Sequence, residues 1–390
     1  MTPDRLDIAA AAGADMAPRS ASVAADHPDP VTALARGLGP GPFSLVILFV
    51  SIEAQLDPLL KSGTAAFPGA QIIGCTTVGE ITEAGYQTGQ ILAMGFPAAG
   101  FAVELLLIEH LDRLETRDLV SQLLAARQAL GRRAEAFPHE LALMLVDGIS
   151  GREEALIAAL AAGLGQVPMI GGSAGDAGFF GDARVLANGR RLERGAVLCL
   201  MRSKGAFRHF SLDTMRPSSA RMIVTGADPI NRIVTRINDE PAAQEYARLL
   251  DIPPETLSPF IFATQPVMVR AGGRYHVRAI RRATADHGLA FYGAIAEGMV
   301  LTIAEPEDMT THLTRTLSEM FGTRRPALIL GFDCIFRRID AEGRQKLAEV
   351  SRVLSAHRVV GFSTYGEQFG GLHVNQTLTG VAFFSPDDPA

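Results

Sequence analysis

The chain has 390 residues, 47% of them apolar, and a formal charge of −6. That length suggests two or three domains with buried cores, and the acidic balance without any Lys/Arg block argues against nucleic acid or an anionic membrane surface as the main partner. No apolar stretch approaches the roughly 20 residues of a membrane helix, and the N-terminus has no basic segment followed by a long apolar core, so neither membrane insertion nor secretion is expected.

Residues 1–30, rich in Ala, Asp and Pro, read as a weakly ordered, disordered-type tail. An N-terminal domain is expected over 31–205 in two modules. In the first, Leu45–Val50 reads as a buried strand, Ile52–Lys61 as a short helix, and a second strand leads into Gly74, with Ile91–Phe96 as a third. Phe101–His110 reads as a strand and Arg117–Ala134 as a helix. The second module opens with Leu141–Val146 and hands over at Asp147 to a helix through Leu164, whose start shows capping-box spacing between Ser150 and Glu153. Asn188-Gly189 marks a hairpin before Ala196–Met201.

From about Ala206 to Glu305 the texture changes to short alternating strands, Arg221–Thr225, Arg232–Ile237, Val267–Val269, Tyr275–Ile280 and Leu289–Ile295, with a helix from Pro241 to Leu250. A third module resumes near Met309 with a helix, then Leu328–Cys334, a helix over Ala341–Leu354, the Val359 strand and Val381–Phe384. The C-terminal domain is therefore expected over 206–390. The fold class that follows is α/β, built from duplicated strand-helix-strand modules with mixed sheets and an antiparallel α+β insert.

Each module carries the same sentence: an apolar run, glycine, small hydroxylated residues, glycine and an acid. The copies are Ile72-Ile73-Gly74-Cys75-Thr76-Thr77-Val78-Gly79-Glu80, Met169-Ile170-Gly171-Gly172-Ser173-Ala174-Gly175-Asp176 and Val359-Val360-Gly361-Phe362-Ser363-Thr364-Tyr365-Gly366-Glu367. The distance from the start of the first strand to the loop glycine is 29 positions (45 to 74), 30 (141 to 171) and 33 (328 to 361), room for a strand, a crossover helix and a strand.

Glycines after a strand let backbone N–H groups approach an anion, and Thr76, Thr77, Ser173, Ser363 and Thr364 add hydroxyl donors. Glu80, Asp176 and Glu367 supply the opposite sign, so a ligand carrying both a carboxylate and an ammonium, a free amino acid, suits the mixture. An equally good account is that hydroxyls and acids cap loops and helices and tie the repeats together. Tyr365 and Asn375 stand out because the first copy has Val78 at the Tyr365 position.

As a set, these loops together with Val146-Asp147-Gly148-Ile149-Ser150, Phe332-Asp333-Cys334 and Asn375-Gln376-Thr377 resemble the FIST family of sensory proteins, over about residues 40–386. The resemblance implies a cytoplasmic, non-catalytic input module that binds small ligands such as amino acids and works with histidine kinases or other signalling proteins. A homo-oligomer is compatible with it. The stretch from Ile223 to Leu250 and the run Phe291-Tyr292-Gly293-Ala294-Ile295-Ala296-Glu297-Gly298 are also similar to a bacterial subgroup described as haem-containing nitric oxide sensors, which implies haem b as cofactor.

Nine histidines occur, without CxxCH or HExxH, so neither covalent haem nor the zinc-protease site is read here. A proximal histidine needs no motif. His209, His276 and His373 are candidates, and His209 ranks first because its flanks, Phe207-Arg208-His209-Phe210, resemble the histidine-containing segment of that subgroup.

The rival class is an enzyme using Cys75, which follows a strand and precedes a glycine loop. The equivalent positions hold Gly172 and Phe362, and no copy shows a paired base. Cys75, Cys199 and Cys334 lack CxxC spacing and sit beside or within apolar runs, so buried reduced thiols are expected.

Overall fold

The computed structural model describes residues 16–175, 183–271 and 273–386. It is a mixed α/β fold in which one pattern of elements occurs three times. The first module comprises β1 (Arg19–Ala24), α1 (Pro30–Leu38), β2 (Phe43–Ser51), α2 (Leu56–Ala66), β3 (Gln71–Thr77), the short hairpin β4 (Glu80–Thr82) and β5 (Gly85–Gln87), and β6 (Gln90–Pro97). The second repeats it as β7 (Phe101–Ile108), α3 (Thr116–Arg133), β8 (His139–Asp147), α4 (Glu153–Leu164), β9 (Met169–Ala174), the hairpin β10 (Val185–Ala187) and β11 (Arg190–Leu192), and β12 (Ala196–Ser203).

The third begins with β13 (Phe207–Asp213) and is then interrupted by the insert: β14 (Met215–Asp228), β15 (Ile233–Ile237), β16 (Glu240–Pro241), α5 (Ala242–Leu249), α6 (Pro259–Thr264), β17 (Val267–Ala271), β18 (Arg274–Arg278), β19 (Ile280–Ala283), β20 (Leu289–Phe291) and β21 (Val300–Pro306). It resumes with α7 (Met309–Phe321), β22 (Leu328–Cys334), α8 (Ile335–Gly343), α9 (Leu347–Ala356), β23 (Val359–Thr364), the hairpin β24 (Glu367–Phe369) and β25 (Leu372–Val374), and β26 (Thr377–Phe383).

Strand order shows that no module completes its own sheet. The first sheet runs β1-β6-β2-β3 and ends in the second module's hairpin β10-β11. The second runs β7-β12-β8-β9 and ends in the third module's hairpin β24-β25; the third runs β13-β26-β22-β23 and ends in the first module's hairpin β4-β5. The exchange is cyclic. The insert forms its own antiparallel sheet, with β18 at one edge.

Several expectations need correction. Arg19–Ala24, expected within a weakly ordered tail, pairs along its whole length with β6; only the small Ala21 and Val23 side chains pack on the core beneath α1, so the strand carries little apolar pattern of its own. Phe207–Asp213 lies on the third module's sheet, paired to β26, and not in the insert. The first crossover helix starts at Leu56, the helix expected over Ala341–Leu354 is two helices parted by Arg344-Gln345-Lys346, and the strand expected to reach Ile295 stops at Phe291. Ser150 does not cap α4: its hydroxyl donates to the Asp147 carbonyl, and α4 starts at Glu153 with no side-chain cap.

The inner faces of the three sheets meet in one core, where Phe49 packs 4.6 Å from Phe362 and Phe332 lies edge-on to Phe362 at 5.7 Å. Pairs of helices cover the outer faces, burying Leu34, Leu38 and Leu59 on the first sheet, Leu123 and Leu156 on the second, and Leu313 and Leu354 on the third. Here the repeated glycine finds its reason. Gly74, Gly171 and Gly361 lie opposite Leu48, Met144 and Gly331 across the parallel pairs, and a Cβ on them would stand 2.3, 2.1 and 1.8 Å from the facing carbonyl oxygens.

Backbone atoms on a paired strand cannot swing away as a side chain can. Gly171→Ala is therefore expected to destabilise by about 2–3 kcal/mol, the upper range for overpacking, measured by urea unfolding with an unchanged m-value. An effect below about 0.5 kcal/mol, the size of an ordinary surface substitution, would contradict the close approach.

Candidate functional site

Most of the repeated loop residues are occupied with one another. The Thr77 hydroxyl donates to one oxygen of Glu80, whose other oxygen accepts the Gln90 amide at 3.0 Å. The third copy repeats the brace: Thr364 donates to Glu367 at 2.6 Å, and the Thr377 hydroxyl and amide donate to its other oxygen at 2.7 and 3.2 Å. Both carboxyls are fully buried. They sit where a strand leaves its own sheet for another, so each pins a crossover.

Thr76 ties the first sheet to the second module's hairpin, donating its amide to the Arg184 carbonyl and accepting the Arg184 amide on Oγ1, both at 2.9 Å. Ser173 accepts from Gln368 at 2.9 Å, and its amide donates to the Gly366 carbonyl. Ser363 donates its amide to Gly79, and its buried hydroxyl has no partner. A Cβ on Gly172 would strike Phe332, Thr364 and Phe362. Asp176 lies outside the described residues. Cys75 is completely buried, and burial together with Glu80 pushes its thiol well up, opposite to what a nucleophile needs. Cys199 and Cys334 are likewise buried free thiols.

Asn375 stands apart. It lines a groove of about 730 Å³ shared with His209, Asp213, His276, Phe369 and Leu372. The groove forms where three sheet edges converge: β13, β18 and β25 each end their sheets. The three copies differ at this seam. After β1 the ladder to the closing strand continues through the Ala25 amide to the Gly89 carbonyl, and after β7 through His110 to Glu193. After β13 pairing ends at Asp213 and Thr377, and Glu307 from the insert donates to the Thr214 carbonyl. The insert thus takes over the backbone where the seam would close.

The groove's chemistry is mixed. Val277, Met320, Phe369 and Leu372 supply apolar wall, and Arg208 and Asp213 supply opposite charges. His209 on β13 lies 5.5 Å from the Phe369 ring; its residue is largely solvent-accessible, and partial desolvation of the ring lowers its pKa, which favours the neutral imidazole that binds metals. His276, on the facing edge strand, is half-buried. His373 is buried behind the groove, its pKa pushed down to about 3 by burial and by Arg232 and Arg278. Asn375 is 1% exposed; its Nδ2 donates to the Tyr365 carbonyl at 3.5 Å, and its Oδ1 has no partner. Among the described residues no group of three or more His, Cys, Asp or Glu side chains is placed to hold a metal ion.

Of the residues singled out in the sequence, the groove gathers His209, His276 and Asn375, with Tyr365 one hydrogen bond behind. Phe369, Asp213 and Arg208 carried no signal of their own. The Gly370-Gly371 pair that turns the β24-β25 hairpin was the available hint.

The FIST N domain model matches residues 44–240, more than half of the chain, and the FIST C domain model matches 242–370. The chain belongs to the FIST family. FIST domains are small-ligand sensor domains of signalling proteins. The two FIST matches meet at Pro241, inside the insert and at the start of α5. No curated protein matches the chain, and no described helix is long and apolar enough to cross a membrane.

Burial raises Glu80 to about 7 and Glu367 to about 8 from 4.5. Stability contributed by carboxyls raised in this way is fully present below the unfolded value and lost as pH rises through the folded one. Urea unfolding is expected to show lower stability at pH about 8.5 than at about 5.5, with Glu367→Gln reducing that difference; a variant with an unchanged pH dependence would remove Glu367 as its source.

Proposed function

We propose that this FIST protein senses a small molecule bound in the groove between β13, β18 and the β24-β25 hairpin, and passes the signal by protein contact to a partner such as a histidine kinase in the cytoplasm. The observation that carries the reading is the coincidence, at the one seam opened by the insert, of His209, His276 and the orphaned Asn375 carbonyl in a groove of about 730 Å³. That size falls within the roughly 300–1,000 Å³ of small-molecule sites.

The leading specific version is haem b sensing nitric oxide. The residues present fit the group: His209 offers a neutral imidazole for iron, Phe369, Val277, Met320 and Leu372 offer apolar contact for a macrocycle, and Arg208 offers a cation for a carboxylate. Haem would supply the gas-binding iron. Arg208, Asp213 and Asn375 favour a second version, a free amino acid, since together they match its carboxylate, its ammonium and a further polar contact. A Cys75-dependent enzyme is not favoured, given the buried, raised thiol.

Protein purified from haem-supplied cells is expected to show a Soret band that His209→Ala shifts or abolishes. No Soret band after full haem loading would sink the haem version, and an unchanged band in His209→Ala would remove that residue as ligand. For the amino-acid version, thermal unfolding across the twenty amino acids is expected to show a Tm rising with concentration of at least one of them and unresponsive in Asn375→Leu.

A further inference from the structure

Arg232 closes the β14-β15 turn of the insert with φ of 56°, a left-handed conformation that ordinarily selects Gly or Asn. A long cationic side chain in that position needs a reason, and its guanidinium provides one. Nη2 donates to the Gly151 carbonyl at 2.8 Å and to Glu154 at 2.9 Å, with Glu153 at 3.4 Å, all at the start of α4 in the second module. Nη1 donates to the Tyr292 carbonyl within the insert. The second oxygen of Glu154 accepts the Ala294 amide at 2.7 Å, so the insert holds the acid pair from two sides.

The same insert reaches the groove. Its edge strand β18 supplies Tyr275, His276 and Val277 to the wall, and β18 is joined through β17, β21 and β14 to β15, at the base of which Arg232 sits. A second connection runs through side chains: the Tyr292 ring packs 5.9 Å from Tyr365, whose carbonyl accepts the Asn375 amide. One sheet thus carries both a wall of the groove and the Arg232 contact, and the two are close in space, since Arg278, beside Val277 on β18, neighbours Arg232 and Glu154.

We propose that Arg232 is a latch that couples occupancy of the groove to docking of the insert on the second module. The proposal rests on the groove being the ligand site. A docked insert sets the position of the β18 wall, so a ligand touching that wall binds the docked state better, and by linkage anything that weakens the latch weakens the ligand by the same factor. Arg232 does not line the groove, so its removal takes no contact from the ligand; its charge does reach His373 behind the groove, and Arg232→Lys, which keeps the charge, separates that field from the hydrogen-bonded latch.

The experiment titrates hemin into the full chain and its variants, reading Soret absorbance, and follows amide hydrogen exchange at Ile233–Ile237 with and without hemin. In the unsubstituted protein hemin is expected to slow exchange there. Arg232→Ala is expected to weaken hemin binding about 5-fold or more, the lower end of ordinary allosteric coupling, to abolish the exchange effect and to leave the Soret position unchanged. Arg232→Lys is expected to restore part of the affinity. Should Arg232→Ala fail to fold, Glu154→Gln, which keeps the side-chain shape, takes its place with the same expectation. Equal hemin affinity in the unsubstituted protein and a folded latch variant overturns the latch and leaves the groove reading standing. Absence of hemin binding to the unsubstituted protein overturns the haem reading and the latch together.

Discussion

Each sheet of this protein is finished by a hairpin from another module, and the buried polar contacts at those crossings are the constraint on which the rest depends. The β4-β5 hairpin shows the strongest case. Tyr86 donates its hydroxyl to Asp333, which also accepts Arg337 Nε at 2.6 Å, and both members of that ion pair are 1% exposed. Burial raises the Asp333 carboxyl above its ordinary value, and the Arg337 charge and the Tyr86 hydroxyl oppose that rise. Such a pair adds little stability over an apolar substitute, yet removing one partner strands a charge at a cost of about 3–5 kcal/mol. It therefore acts against misplacement: a hairpin set into the wrong sheet would leave Asp333 and Arg337 without Tyr86.

The sequence made the repeat legible because its signals are local. Apolar runs, a glycine that a facing carbonyl requires and a Thr–Glu pair three residues apart all recur within a few positions. The partners do not. Nothing near Glu80 says that its hairpin joins β23, because that pairing is set by β-ladder groups every residue carries. The edge strand Arg19–Ala24 was hidden for the same reason. The Ser150 spacing misleads because Glu153, in the right place for a capping box, instead faces Arg232, 79 positions away.

The candidate site was half legible. Asn375 and Tyr365 stand out as departures from the repeat, and His209 by resemblance. Their convergence depended on the insert, whose boundary at Met215 falls inside a strand pattern continuous with Phe207–Asp213. Two copies of the seam are closed by backbone hydrogen bonds, and the third is opened by the insertion. Symmetry builds the frame, and its single interruption makes room for chemistry.

Cyclic exchange also orders events in time. The hairpin ending at Gln87 finds its sheet only when β23, ending at Thr364, exists, 277 positions later (87 to 364). At the usual pace of synthesis of about 5–20 residues per second, that interval is roughly 15–55 seconds. Through it β4 has no β23 edge to pair with and Tyr86 has no Asp333 to bond. The module that precedes the other two in the chain is therefore among the last parts of the fold to be finished, and an unpaired strand edge is where a growing chain meets wrong partners.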